Sequence, residues 1–185
     1  KLIHALSTFT QRIIPIGKDL LGREQGQARL RLILWSGLGI YLGLELGPIT
    51  SWSLPLAVFY VTCAVYCVVV LVYTLRATTA SLLRRFVNNV VDITAITYLM
   101  VATGEVGVPL FALYLWVTIG NGFRFGIPAL MVSAVLSVIG FGVVVSLPEL
   151  WQQHLAFAGG VLFTLIVIPL YAAHLIHMLN AAVQR

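Results

Sequence analysis

Apolar residues run through this chain in stretches too continuous for amphipathic surface helices and too long for strands. A helix rising about 1.5 Å per residue needs about 20 residues to cross about 30 Å of hydrocarbon. The runs Leu30 to Leu46, Leu54 to Leu75, Phe86 to Ala102, Val108 to Ile119, Ile127 to Leu147 and Ala156 to Leu179 therefore predict six transmembrane helices, the fourth unusually short. The fold class is all-α, a polytopic integral membrane helical bundle. Gly47-Pro48 ends the first crossing and Pro148-Glu149 the fifth, while Trp151-Gln152-Gln153-His154 offers anchors at the membrane interface. The turn from Thr103 to Gly107 is tight enough to force an antiparallel hairpin of the third and fourth helices.

Residues 1–28 mix Lys1, Arg12, Lys18 and Arg23 with Leu, Ile and Phe around Pro15 and Gly17. They predict two short amphipathic pieces at the membrane surface, a cytoplasmic juxtamembrane segment. Residues 29–180 form the bundle, and 181–185 keep helical composition as the start of an output helix. No repeat or heptad seam divides the chain.

Charge sets the expected orientation. With six crossings, all eleven Lys and Arg fall on one side, and Glu45, Glu105 and Glu149 fall in the opposite turns. Positively charged loops stay in the cytoplasm, so both termini are expected there. Five crossings, with the fourth run re-entrant, would part the termini and place several Arg outside. Composition agrees with burial in lipid: 60% hydrophobic residues, 9% charged and a mean hydropathy of +1.01 exceed what a soluble core hides. The net charge of +5 flanks apolar spans and so points to anionic lipid, not to nucleic acid. The chain begins with Lys and stops just past its last apolar run, so it is expected to be a segment of something longer. No cleavable signal is evident in residues 1–23.

Candidate chemistry is sparse. Asp92 is the acid expected inside a crossing, about 9 Å in from the basic end of its helix, and an isolated charge at depth costs several kcal/mol. Gly120-Asn121-Gly122-Phe123-Arg124-Phe125-Gly126 places one cation among three glycines and two aromatics at an expected helix-helix turn. An Asp92–Arg124 pair supported by Asn88, Asn89 and Asn121 follows as an intramembrane polar switch. The alternative is Asp92 in a water pocket and Arg124 on lipid phosphate. Cys63 and Cys67 share a helix face in hydrocarbon and read as packing residues. His174 and His177 lie three apart and lack the partners that haem or a metal needs. No catalytic residue, metal or cofactor is expected, because no nucleophile has a matching base at a common depth. Gly37, Gly39, Gly43 and Gly47 would let another helix approach closely.

Three stretches carry a resemblance: Val87-Asn88-Asn89-Val90-Val91-Asp92-Ile93-Thr94, then Gly104-Glu105-Val106-Gly107-Val108-Pro109-Leu110-Phe111, then Tyr114-Leu115-Trp116 with Gly120 to Gly126. Over residues 86–128 above all, the chain resembles the membrane input domain of RpfC-type hybrid sensor histidine kinases, bacterial receptors for diffusible-signal-factor fatty acids. The resemblance implies a bacterial inner-membrane sensor that binds a cis-2-unsaturated fatty-acid quorum-sensing signal and relays it to a C-terminal cytoplasmic kinase, as a homodimer. It also implicates the segment before the first crossing, here Gly22 to Arg31, so that Glu24 and Gln27 become candidate ligand contacts. Arg29, Arg31 and Arg124 are the cations for a carboxylate. Neither His174 nor His177 is expected to be the phosphorylated histidine, and five crossings are usually drawn for that family. The alternative reading is a small helical transporter or channel for an amphiphilic or anionic solute.

Overall fold

A computed structural model describes residues 20–147 and 151–179 with their side chains, and the backbone alone at 2–19, 149–150 and 180–183. Among the described residues every regular element is helical: α1 (Leu2–Leu46), α2 (Leu54–Arg76), α3 (Leu82–Thr103), α4 (Phe111–Phe125), α5 (Ile127–Ser146), the short α6 (Glu149–Gln153) and α7 (Leu155–Val183). Stretches long and apolar enough to span a membrane are Leu54–Arg76, Leu82–Phe125, Ile127–Ser146 and Leu155–Leu179. The second of these folds back on itself at a 3-10 turn, Gly104–Leu110, and so supplies both α3 and α4. With the apolar half of α1, these helices make the polytopic bundle.

The chain divides into two compact units, residues 1–85 and 86–185. In the first, α1 and α2 pack antiparallel. Gly47, at φ 81°, takes the left-handed turn that ends α1, and Trp52 Nε1 donates to its carbonyl at 2.9 Å. Trp35 stacks on Tyr60 with ring centroids 5.4 Å apart. The two also exchange hydrogen bonds, Trp35 Nε1 to the Tyr60 carbonyl at 3.2 Å and Tyr60 Oη to the Trp35 carbonyl at 3.1 Å. Gly39 is the glycine of the α1 stripe that this contact uses. A Cβ there would lie 2.8 Å from Tyr60 Cζ, whereas Gly37 and Gly43 have nothing near them.

In the second unit α4 packs on α5 and α7, and α5 on α7. Leu130, Ala172 and Ile176 form a core there with Met131 and Ala173 against it. At the far end, Trp151 meets the edge of Phe141 at 5.1 Å and stacks on Phe157 at 5.8 Å.

Three expectations change. Helix α1 continues from Leu2 through Pro15 and Gly17 without a break between two pieces; the φ that proline fixes is itself helical, and what is lost is one backbone bond. The amphipathic character expected of residues 1–19 lies outside the described side chains. Trp151 is 2% exposed, a packing residue rather than an interface anchor. The glycine-rich stretch is not a loop: α4 runs to Phe125, and Gly126 alone, at φ 86°, makes the turn into α5. Gly122 stays helical and admits Leu130, whose Cβ would sit 2.9 Å from a Cβ at that position.

Candidate functional site

Two polar centres stand out against the apolar background, one in each unit. The first is ionic. Glu24 is 4% exposed, and its carboxylate gathers three neighbours, all from the cap and first turn of α3. Arg84 donates to Oε2 through Nε at 2.9 Å and through Nη2. Arg85 Nε lies 3.3 Å from Oε1, and the Ser81 backbone N–H donates to Oε1 at 3.0 Å. Ser81 caps α3, since its Oγ accepts the Arg84 N–H at 3.4 Å. A carboxylate at a helix N-terminus between two guanidinium groups is stabilised by the helix dipole as well as by charge. Arg84 is fixed further by a bond to the Thr79 carbonyl at 2.9 Å and by the Tyr73 ring, 5.6 Å from its Cζ. Gln25 reaches the Thr74 carbonyl at 3.4 Å. The juxtamembrane turn of α1 is thus clamped to the α2–α3 connection.

The second centre is neutral. Asn121 on α4 donates through Nδ2 to Asn89 Oδ1 on α3 at 3.0 Å and to Ser133 Oγ on α5 at 2.8 Å. Ser133 spends its own proton on the Ala129 carbonyl, so it accepts from Asn121. One turn along α4, Thr118 and Ser137 hydroxyls are 3.0 Å apart. A further turn on, Tyr114 Oη lies 2.7 Å from Thr97 Oγ1. Thr97 donates to the Ile93 carbonyl at 2.8 Å, which makes Tyr114 the donor of that pair. Tyr114, Thr118, Ser133 and Ser137 are fully buried. Gly140 permits the close approach, since a Cβ there would meet Thr97 Oγ1 at 2.7 Å. The result is a column of matched hydrogen bonds joining α3, α4 and α5 in antiparallel register.

Of the intramembrane residues named from sequence, Asn89 and Asn121 are therefore brought together. Asn88 is buried beside Asn89 on α3. Asp92 and Arg124, both half-buried, flank the Asn89–Asn121 bond, each one helical turn from it on its own helix. Of the juxtamembrane candidates, Glu24 is engaged in the clamp, Gln27 is half-buried one turn along α1, Arg29 is exposed and Arg31 is buried. His174 and His177 are exposed on α7.

Sequence reasoning missed Ser81, Arg84 and Arg85 as partners of Glu24, and Ser133, Ser137, Thr97 and Thr118 as members of the column. A usable signal existed for the column. Tyr114, Thr118 and Asn121 recur at i, i+4 and i+7 on α4, and Ser133, Ser137 and Gly140 repeat that spacing on α5. Chemically the column offers neutral donors and acceptors already paired with one another. Among the described residues no group of His, Cys, Asp or Glu could hold a metal ion.

Comparison with known proteins agrees with this architecture. The family model of the PilS-like transmembrane domain, a 6TM domain, matches residues 29–180. The sensory/regulatory protein RpfC of Xanthomonas campestris pv. campestris, in two strains, is 32% identical over 101 residues, which is 55% of this chain and 14% of that relative. The matched stretch is thus a small part of a longer relative. No solved structure matches the chain. The similarity supports a membrane sensor domain of the RpfC type.

Proposed function

The chain belongs to the PilS-like transmembrane domain family, and from that premise we propose that it is the signal-receiving part of a two-component hybrid histidine kinase. The signal is a fatty acid of the cis-2-unsaturated class, taken from the inner membrane of a bacterium, with both chain termini in the cytoplasm. Residues 1–28 act as the juxtamembrane segment, 29–180 as the sensor bundle, and 181–185 begin the rod that leads to the kinase, which works as a homodimer.

The observation that carries this reading is the Glu24 clamp. Juxtamembrane α1 is bonded through Glu24 to Ser81, Arg84 and Arg85, and Arg84 and Arg85 lie on the same helix as Asn89. Helix α3 therefore carries residues of both polar centres. Burying an alkyl chain is worth about 0.8 kcal/mol per CH₂ relative to water, but a chain already in the bilayer gains little of this, so affinity rests on the carboxylate and on packing. Control is harder, because a ligand shifts a two-state bundle only by its difference in affinity between the states. About 1.4 kcal/mol of difference gives a tenfold shift, which one rearranged charge-assisted bond covers. Asp92 and Arg124, flanking the Asn pair, are proposed as the ionic members of that switch.

The test is autophosphorylation of the full-length protein in vesicles, with and without a cis-2-unsaturated fatty acid. Removal of residues 1–28 is expected to abolish the response and leave the crossings folded; an unchanged response refutes the juxtamembrane role. Solute flux through vesicles carrying the protein, without any effect of fatty acid on phosphorylation, would favour a transporter instead.

A further inference from the structure

Arg124 sits near the C-terminal end of α4 (Phe111–Phe125). Side chains of a helix lean toward its N-terminus, so a cation at this end leans back along the helix, away from the helix end and the water beyond it. Long cationic side chains at membrane boundaries ordinarily stretch the other way. Here the guanidinium lies back over Gly120. A Cβ on Gly120 would stand 2.8 Å from Arg124 Nη1, so the absence of a side chain there is what makes room for the charge.

The same face of α4 carries a groove of about 510 Å³ lined by Ala112, Trp116, Ile119, Gly120, Phe123 and Arg124 among others. Its walls are apolar except at Arg124. From Ala112 to Arg124 the helix rises about 18 Å, slightly more than one leaflet of a hydrocarbon core about 30 Å thick. Small residues at 112 and 120 form the floor, and Trp116 and Phe123, 52% and 65% exposed, rise beside it.

We infer that this face of α4 is a binding groove for a single-chain carboxylate amphiphile, its carboxylate on Arg124 at Gly120 and its tail along Ile119, Trp116 and Ala112. The inference rests on the fatty-acid reading above and selects among its cations. Arg84 and Arg85 already hold Glu24, Arg31 is buried, and Arg29 is exposed on α1. Arg124 is set at the end of an apolar channel. A guanidinium has five N–H donors in a planar fork, so a carboxylate can share it with protein neighbours. One cation per groove matches one anionic head. The groove runs along a single helix face, which fits one alkyl chain better than the paired chains of a diacyl phospholipid.

The probe is a palmitic-acid analogue carrying a diazirine midway along its chain, applied to the full-length protein in phosphatidylcholine vesicles. Photolabelling is expected on α4 between Ala112 and Ile119, competed by unlabelled fatty acid. Arg124→Gln should weaken it about tenfold, the worth of one charge-assisted hydrogen bond, while Arg124→Lys retains most of it. Gly120→Ala keeps the helix and displaces only the flexible end of Arg124, so it should weaken labelling with unchanged helix content. Equal labelling by the methyl ester of the probe, or by a diacyl phospholipid diazirine, would reduce the groove to ordinary lipid-facing surface and overturn the proposal. A disulfide between copies of a Trp116→Cys variant without probe would make the groove a dimer face and overturn it equally. Phosphorylation distinguishes the two readings. Labelling at α4 without any kinase response keeps the groove and removes the fatty-acid signal; a kinase response insensitive to Arg124→Gln and Gly120→Ala keeps the signal and removes the groove.

Discussion

The two units of this domain solve the same problem with different chemistry. In residues 1–85 the helices are tied at their basic end by a buried carboxylate between two arginines. In residues 86–185 the tie is a column of amides and hydroxyls with no formal charge. The difference follows depth in the apolar pattern. Glu24 precedes the first apolar run, where flanking charges and the N-terminus of α3 share the cost of removing a carboxylate from water. Asn121, Thr118 and Tyr114 lie within a span, where an ion costs several kcal/mol and a neutral pair far less. A charged tie is strong and all-or-none, because loss of one member strands the others. A neutral column yields one bond at a time.

The contrast breaks most sharply at Glu24. Glu24→Gln keeps the size of the side chain and leaves two arginines facing each other, and removal of one partner from a buried pair costs about 3–5 kcal/mol. The expected result is faster amide hydrogen exchange from Ala77 to Arg85, with protection around Thr118 to Asn121 unchanged. Exchanging the charges, Glu24→Arg together with Arg84→Glu, should restore part of the protection. Equal loss of protection in both stretches would mean that the two ties are one cooperative structure.

A smaller effect is expected at the amide end of the column. Asn121→Leu removes the donor to Asn89 Oδ1 and Ser133 Oγ together, and interhelical hydrogen bonds in membranes are worth about 1–2 kcal/mol at most. Thermal unfolding in detergent should fall by that amount, insensitive to added salt. The Glu24→Gln loss is likewise little screened, because burial shields that pair from counterions. The difference between the two therefore has to be read from magnitude and location. A loss at Asn121 as large as that at Glu24 would place the main tie of the domain in its neutral column.

Much of the architecture is readable from sequence because crossing a membrane demands length, and length is visible in uninterrupted apolar runs. The limits of α4 are not. Gly120 and Gly122 look like turn residues, yet they are helical, and they are glycine because Arg124 and Leu130 occupy the space a side chain would take. Trp151 misleads for a related reason, since its position beside Gln152 and His154 suggests an interface while its ring is enclosed by Phe141 and Phe157. The partners of Glu24 lie 57 and 60 residues away, and any of several basic residues expected on that side could have served. Asn89 and Asn121 are identifiable because amides in a span need partners. Hydroxyls are more ambiguous, since Thr62 and Thr164 satisfy themselves on the carbonyls of Val58 and Gly160, four residues back. A serine or threonine in a span therefore does not by itself announce a contact between helices.

That ambiguity sets the finest test of the comparison. Thr118 and Ser137 hydroxyls are 3.0 Å apart and buried, but each could also turn to its own helix backbone, as Ser133 and Thr97 do. Thr118→Val and Ser137→Ala should each lower stability slightly, and the double variant should reveal a coupling of about 0.6 kcal/mol, the average for such pairs in a membrane protein. A coupling near zero means that the hydroxyls fall back on backbone carbonyls without loss, so the column is held at its ends by Asn121 and Tyr114 alone. A coupling well above about 1.7 kcal/mol, the upper end of such pairs, would mean that neighbouring bonds reinforce one another. The neutral tie would then give way all at once, like the ionic one, and the distinction between the two units would rest on charge and not on cooperativity.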